Sequence, residues 1–91
     1  MIIMAVNMRI RLSSANPSLK QYLKKVADNL KVTGEVRNVT ANRLFVEVEG
    51  DDPRVDEFLK VCQKLLKQGM VSGILYDSNN VKGYEEFVIN V

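Results

Sequence analysis

Two stretches of the chain carry apolar residues at helical spacing, and each has a single apolar face. Leu19, Tyr22, Leu23, Val26, Ala27 and Leu30 recur at steps of three and four, as do Val55, Phe58, Leu59, Cys62, Leu65 and Leu66. Residues so spaced line one side of an α-helix. Asn16-Pro17 precedes the first pattern and Asp52-Pro53 the second. Asn and Asp are favoured N-caps, and proline suits the first helical position, where a missing N–H costs nothing. Thr33-Gly34 breaks the first pattern, and Gly69 fits a C-terminal cap on the second.

The rest of the chain alternates. Met4, Val6, Met8, Ile10 and Leu12 point one way, and Asn7, Arg9 and Arg11 the other. That is the signature of a half-buried strand. "EVRNVT" and "LFVEVEG" read as two more strands, joined by a tight "ANR" connection in which Asn42 suits a left-handed conformation. "SGILYD" is a fourth strand, "SNNVKG" a loop, and "YEEFVINV" a fifth strand or an extended tail. The order is β-α-β-β-α-β plus a short C-terminal strand. Two helices with one apolar stripe each cover one side of a sheet, so the expected fold is α+β. It is a two-layer ferredoxin-like (split βαβ) sandwich.

A length of 91 residues suits a single domain spanning 1–91. Thirteen basic and eleven acidic residues leave a net charge of +2, too balanced for the footprint of a nucleic-acid binder. Histidine is absent, which removes the commonest general base and the commonest metal ligand together. Asp51, Asp52, Asp56 and Glu57 start a helix, where they suit its dipole, and their spacing suggests no metal site. No cofactor is expected. Cys62, the single cysteine, lies on an apolar stripe and reads as a small core residue. "MIIMAV" is too short and lacks the basic lead of a signal peptide, and no run has the length of a membrane span. The expected location is cytoplasmic.

"ADNLKVTGEVRN", residues 27 to 38, resembles the acylphosphatase family, in which a helix ending A-x-x-L-G-L leads into T-G-W-V-x-N on a strand. Ala27, Leu30, Val32, Thr33, Gly34, Val36, Arg37 and Asn38 follow that pattern. "VEVEG", "VDEFLK", "KQG" and "YEEFVI" continue the similarity in one register, the last matching Y-x-x-F-x-I. The resemblance implies an acylphosphatase-like fold and hydrolysis of carboxyl–phosphate anhydrides without metal or cofactor. It implies three working parts. A loop G-x-V-Q-G-V-x-F-R wraps the phosphate with backbone amides, its closing Arg grips the oxygens, and the Asn of T-G-W-V-x-N orients the attacking water. Positioning and charge stabilisation carry most of the rate in such chemistry.

Asn38 stands at the water-orienting position. The loop departs from the pattern. Aligned without a gap it is "LSSANPSLK", residues 12 to 20, with Leu12 and Asn16 for the two glycines, Ala15 for the Gln and Pro17 for the second Val. Lys20 replaces the gripping Arg, and a lysine cannot reproduce a planar bidentate fork. Glu35 replaces the Trp and adds a negative charge near the expected anion site. The candidate anion-binding residues are Ser13, Ser14, Ala15, Asn16, Ser18 and Leu19, with Lys20 and Asn38 in the catalytic roles. Asn16-Pro17 reads first as a helix cap, and Lys20 also suits a solvated helix face.

Two functions follow from this. One is an acylphosphatase-like protein that lacks efficient acyl-phosphate hydrolysis and acts as an interaction or anion-binding module. The other is a divergent acylphosphatase in which Lys20 holds the phosphate and Asn38 places the water. The expected partners are a small anion or acyl phosphate, or a protein partner or second copy on the open sheet face. That face is expected to carry Asn7, Arg9, Arg11, Arg37, Phe45, Glu47 and Glu49. Phe45 there invites an RNA-recognition reading. The glycine–aromatic pattern of RNA-recognition strands is missing, however, and the two glutamates would repel phosphates, so nucleic acid is not an expected partner.

Overall fold

The computed structural model describes residues 2–90. The elements run β1 (Ile3–Leu12), α1 (Leu19–Leu30), β2 (Thr33–Thr40), β3 (Arg43–Asp51), α2 (Asp52–Lys67), β4 (Val71–Ser78) and β5 (Phe87–Asn90). The sheet order is β4-β1-β3-β2-β5. β1 pairs antiparallel with β3 and β4, and β2 pairs antiparallel with β3. β5 joins the outer edge of β2 in parallel, matching Gly34 with Phe87 and Val36 with Ile89. Val91, the last residue of the expected "YEEFVINV" strand, lies outside the described residues.

Both helices lie on one face, as their single stripes require. Leu19, Leu23 and Ala27 from α1 and Val55, Phe58, Cys62 and Leu65 from α2 bury against Met8, Ile10, Val36, Leu44, Val46 and Val48 of the sheet. Phe58 and Phe87 meet at 5.8 Å between ring centroids, tilted by 46°, and tie the edge strand β5 to α2. Each large apolar side chain so buried contributes about 2 kcal/mol. Tyr22 and Leu66 sit at the stripe margins and are exposed, 46% and 41%, because the sheet reaches neither.

The helix ends differ from the sequence expectation in detail. Asn16 Oδ1 accepts the Ser18 amide at 3.2 Å, and the Asn16 carbonyl accepts the Leu19 amide at 3.2 Å. Asn16 thus caps a tight turn over Pro17-Ser18, and the regular helix begins at Leu19. α1 stops at Leu30, where the apolar spacing also ends it, ahead of Thr33-Gly34. Lys31 adopts a left-handed conformation, its amide bonds the Asp28 carbonyl and the Val32 amide bonds that of Ala27. That is a Schellman motif without glycine. Gly34 lies inside β2, where its backbone packs so tightly on β3 that a Cβ would collide with the Glu47 carbonyl oxygen. Asp51, not Asp52, occupies the N-cap of α2. Gly69 closes α2 at φ +81°, with its amide on Leu66 and that of Met70 on Leu65. Asn42 is not left-handed: the Ala41–Asn42 turn is instead braced by the Thr40 hydroxyl, which donates to Asn42 Oδ1 at 3.1 Å.

Strand alternation places the side chains of the second sheet face as expected, but that face is only half open. Residues 79–86 cross it and cover Glu47 and Glu49, which are 3% and 4% exposed. Three consecutive amides converge on the Glu49 carboxylate: Lys82 at 2.6 Å, Gly83 at 3.0 Å and Tyr84 at 3.2 Å. Gly83, at φ +81°, provides the left-handed step that successive amides need in order to point at one anion. Glu47 accepts from Asn79 Nδ2 at 2.6 Å and Tyr84 Oη at 2.9 Å, and Lys82 Nζ lies 2.7 Å away. The loop holds the carboxylates in place of water, as buried charge demands.

Candidate functional site

The segment from Leu12 to Lys20 links the end of β1 to the start of α1. Leu12 ends the strand with its side chain in the core, 2% exposed, so it is a packing residue rather than a loop residue. Its amide donates to the Asn42 carbonyl at 2.8 Å, which sets the segment beside the β2–β3 turn. Asn38 lies opposite Leu44 on β3, near that same turn. Since Leu44 faces the helices, Asn38 does too, so both sequence-predicted parts lie at one end of the sheet on one side.

The segment's own hydrogen bonds limit what it offers an anion. The Ser13 amide donates to the Met70 carbonyl at 3.1 Å and its hydroxyl to the Gly69 carbonyl at 2.6 Å. The amides of Ser18 and Leu19 are taken by Asn16. The Ser18 hydroxyl also donates to Asn16 Oδ1, at 2.9 Å. Pro17 has no amide. Ser14, Ala15 and Asn16 remain as the loop amides without a protein acceptor among the described residues. Two of the predicted cradle members, Ala15 and Ser14, are exposed, and Asn16 is half-buried.

Lys20 is half-buried in the first turn of α1 and makes no hydrogen bond or ion pair among the described residues. A cation there opposes the positive end of the helix dipole, a modest cost that a bound anion relieves. Asn38 Nδ2 donates to the Thr40 carbonyl at 3.1 Å across the bulge between Asn38 and Thr40. Its Oδ1 accepts nothing among the described residues. No hydrogen bond joins Lys20 or Asn38 to each other or to residues 13–18.

Glu35 does not crowd this site. It lies opposite Glu47 on β3, on the far sheet face, where it accepts from Asn90 Nδ2 at 2.6 Å and Tyr84 Oη at 3.2 Å. The expectation of a repelling charge beside the anion site fails because strand alternation sends residues 35 and 38 to opposite faces. The carboxylates clustered around Tyr84 act on that phenol instead. Burial, followed by its bond to Glu47, raises its pKa well above the usual tyrosine value. Burial alone would raise the Glu47 pKa, but Lys82, Tyr84 and Asn79 together bring it below 4.5. Cys62 is fully buried on α2 and its thiol is pushed up to about 12 by desolvation, which removes it as a nucleophile. Among the described residues no group of three or more acidic or cysteine side chains is arranged to hold a metal, and no helix is long and apolar enough to cross a membrane.

Comparison with known proteins agrees with this fold. Over 85 residues the chain is 26% identical to an acylphosphatase of Thermotoga maritima, covering 93% of this chain and 94% of that one. An acylphosphatase from Bacillus subtilis superposes with a TM-score of 0.81 at 18% identity, covering 99% of this chain and 100% of that one. An acylphosphatase from Coxiella burnetii gives 0.80 at 16% identity, covering 97% and 93%. These two likenesses establish the shared fold. The acylphosphatase family model matches residues 19–89, and the chain therefore belongs to the acylphosphatase family.

Proposed function

We propose that this family member binds a small phosphate-like anion at the 12–20 segment without hydrolysing acyl phosphates efficiently, and works as an anion-binding or interaction module. One observation carries the reading. The loop's amides are divided between internal acceptors and a short free run: Ser13 is held by Met70, Ser18 and Leu19 by Asn16, and Pro17 has none. What is left is Ser14, Ala15 and Asn16, with the Lys20 ammonium a few residues away on the helix.

Three amides and a point charge suffice to hold an oxyanion weakly at a helix start. They do not make the preorganised shell that transition-state charge requires. Loss of one such donor costs about 3 kcal/mol, a hundred- to thousandfold in rate, and this loop lacks several. Lys20 cannot grip two oxygens in a plane, so orientation is lost along with charge stabilisation. Asn38 retains a water-orienting side chain, which keeps the divergent-enzyme reading as the alternative.

Titration of the full chain with inorganic phosphate, followed by amide chemical shifts, tests the binding half of the proposal. Shifts concentrated on Ser14, Ala15 and Asn16, with millimolar affinity that weakens roughly threefold or more in Lys20→Ala, support it. The absence of any saturable shift on those amides contradicts it.

A further inference from the structure

The uncovered half of the second sheet face carries four arginines. Arg9 and Arg11 on β1, Arg37 on β2 and Arg43 on β3 are all exposed. Arg11 lies directly opposite Arg43, with Gly73 on its other side, and Arg9 lies between Phe45 and Leu75. Arg9, Arg11 and Arg43 make no ion pair among the described residues. Like charges directly across a ladder destabilise a sheet, so this arrangement lacks a partner within the chain.

Arg9, Arg11 and Arg43 line a groove of about 400 Å³ with Val39, Gly73 and Leu75. The Leu75 side chain is exposed. At the groove's edge the Arg37 guanidinium sits over the Phe45 ring, 4.7 Å from its centroid. The acids that share this face, Glu35, Glu47 and Glu49, are occupied by the 79–86 loop and Asn90, and Glu35 also lies 3.7 Å from the Arg37 guanidinium. The fold therefore reduces the repulsion that the glutamates would exert on phosphates, by pairing Glu47 with Lys82 and by holding Glu49 under three amides. The near-neutral charge of the whole chain hides a local separation, with Glu47 and Glu49 buried under the loop and Arg9, Arg11 and Arg43 left open.

We infer that this groove binds a short segment of single-stranded nucleic acid, with Arg9, Arg11 and Arg43 on phosphates and the Arg37–Phe45 pair as a stacking platform for a base. Guanidinium forks match phosphate oxygens bidentately, and stacked arginine and aromatic planes accept any base. An acidic peptide would satisfy the charges but has no planar group for the Arg37–Phe45 surface. The site is on the opposite sheet face from residues 13–20, and the inference stands apart from the anion-binding reading.

A fluorescently labelled single-stranded RNA of ten nucleotides and mixed sequence, titrated with the full chain, tests it. Three phosphate contacts give a log–log salt slope near −2, so affinity should fall about 20-fold between 50 and 200 mM salt. The double variant Arg11→Gln/Arg43→Gln should lose about tenfold or more at 50 mM and flatten the slope. Gly73→Glu should abolish binding with the fold intact, since a Cβ at Gly73 meets nothing within 4 Å and the carboxylate stands opposite Arg11. Phe45→Leu should weaken binding about fivefold or more while leaving the slope unchanged. Lys64→Ala, a charge removed from the exposed side of α2, should have no effect. No binding at 50 mM overturns the inference. So does binding untouched by the double arginine variant but lost in Lys20→Ala, or capture of polyglutamate in preference to RNA.

Discussion

Ser13 donates its amide to Met70 at 3.1 Å and its hydroxyl to Gly69 at 2.6 Å, so the first residue after β1 is bolted to the turn between α2 and β4. That double anchor turns the start of the loop toward the neighbouring turn and away from a common point with Ser14, Ala15 and Asn16. Three residues on, Asn16 takes two further amides for its own turn. The family's fold is kept, while the Ser13, Ser18 and Leu19 amides serve local structure.

Gly34 is fixed by close approach. With φ at +149° and the Glu47 carbonyl oxygen in the place a Cβ would occupy, both strain and collision fall on rigid backbone. Gly34→Ala should cost about 3 kcal/mol or more, lowering Tm by more than about 12 °C. Thermal melts by circular dichroism check this.

Glu47 links stability to pH. Burial pushes its pKa up, but Lys82, Tyr84 and Asn79 outweigh burial and leave it below 4.5 in the folded state. Its stabilisation is therefore complete above that ordinary value and is lost as pH falls through the lower folded-state pKa. Glu47→Gln should be about 2 kcal/mol less stable at pH 7, and the difference should shrink as pH falls below 4.5. Urea unfolding of both proteins at pH 7 and pH 3 measures it.

Cys62 should be silent in the native protein. Its thiol is fully buried and pushed up to about 12, so almost no thiolate exists at pH 8. An aromatic disulfide reagent should leave the folded chain unlabelled and modify one thiol per chain in denaturant. Rapid labelling without denaturant would contradict the packing of α2 on the sheet.

Element order and face assignment were legible in the sequence because they rest on periodicity alone. The stripes of α1 and α2 and the alternation of β1 and β3 each name one buried side. Alternation says which way Glu47 and Glu49 point, but not what covers them. The cover comes from "NNVKGY", a polar segment without periodicity, whose three amides at residues 82–84 find Glu49 only in the folded chain. A pair of glutamates two apart, followed at a distance by a glycine in a polar loop, was the available signal. The end of α1 at Leu30 was legible, but its cap was not: Lys31 takes a conformation that sequence patterns assign to glycine. In the candidate site, Lys20 and Asn38 could be named from the family pattern. The engagement of Ser13 could not, since the acceptors of its amide and hydroxyl, the Met70 and Gly69 carbonyls, lie more than fifty residues away.

We propose that residues 12–20 form no catalytic cradle. Hydrolysis of a small acyl phosphate by this chain, measured beside the Bacillus subtilis acylphosphatase under the same conditions, tests it most directly. The account predicts kcat/KM at least about a thousandfold lower than in that protein, with no more than a few-fold recovery in Lys20→Arg. A value within tenfold of that protein, abolished by Asn38→Ala, would contradict it.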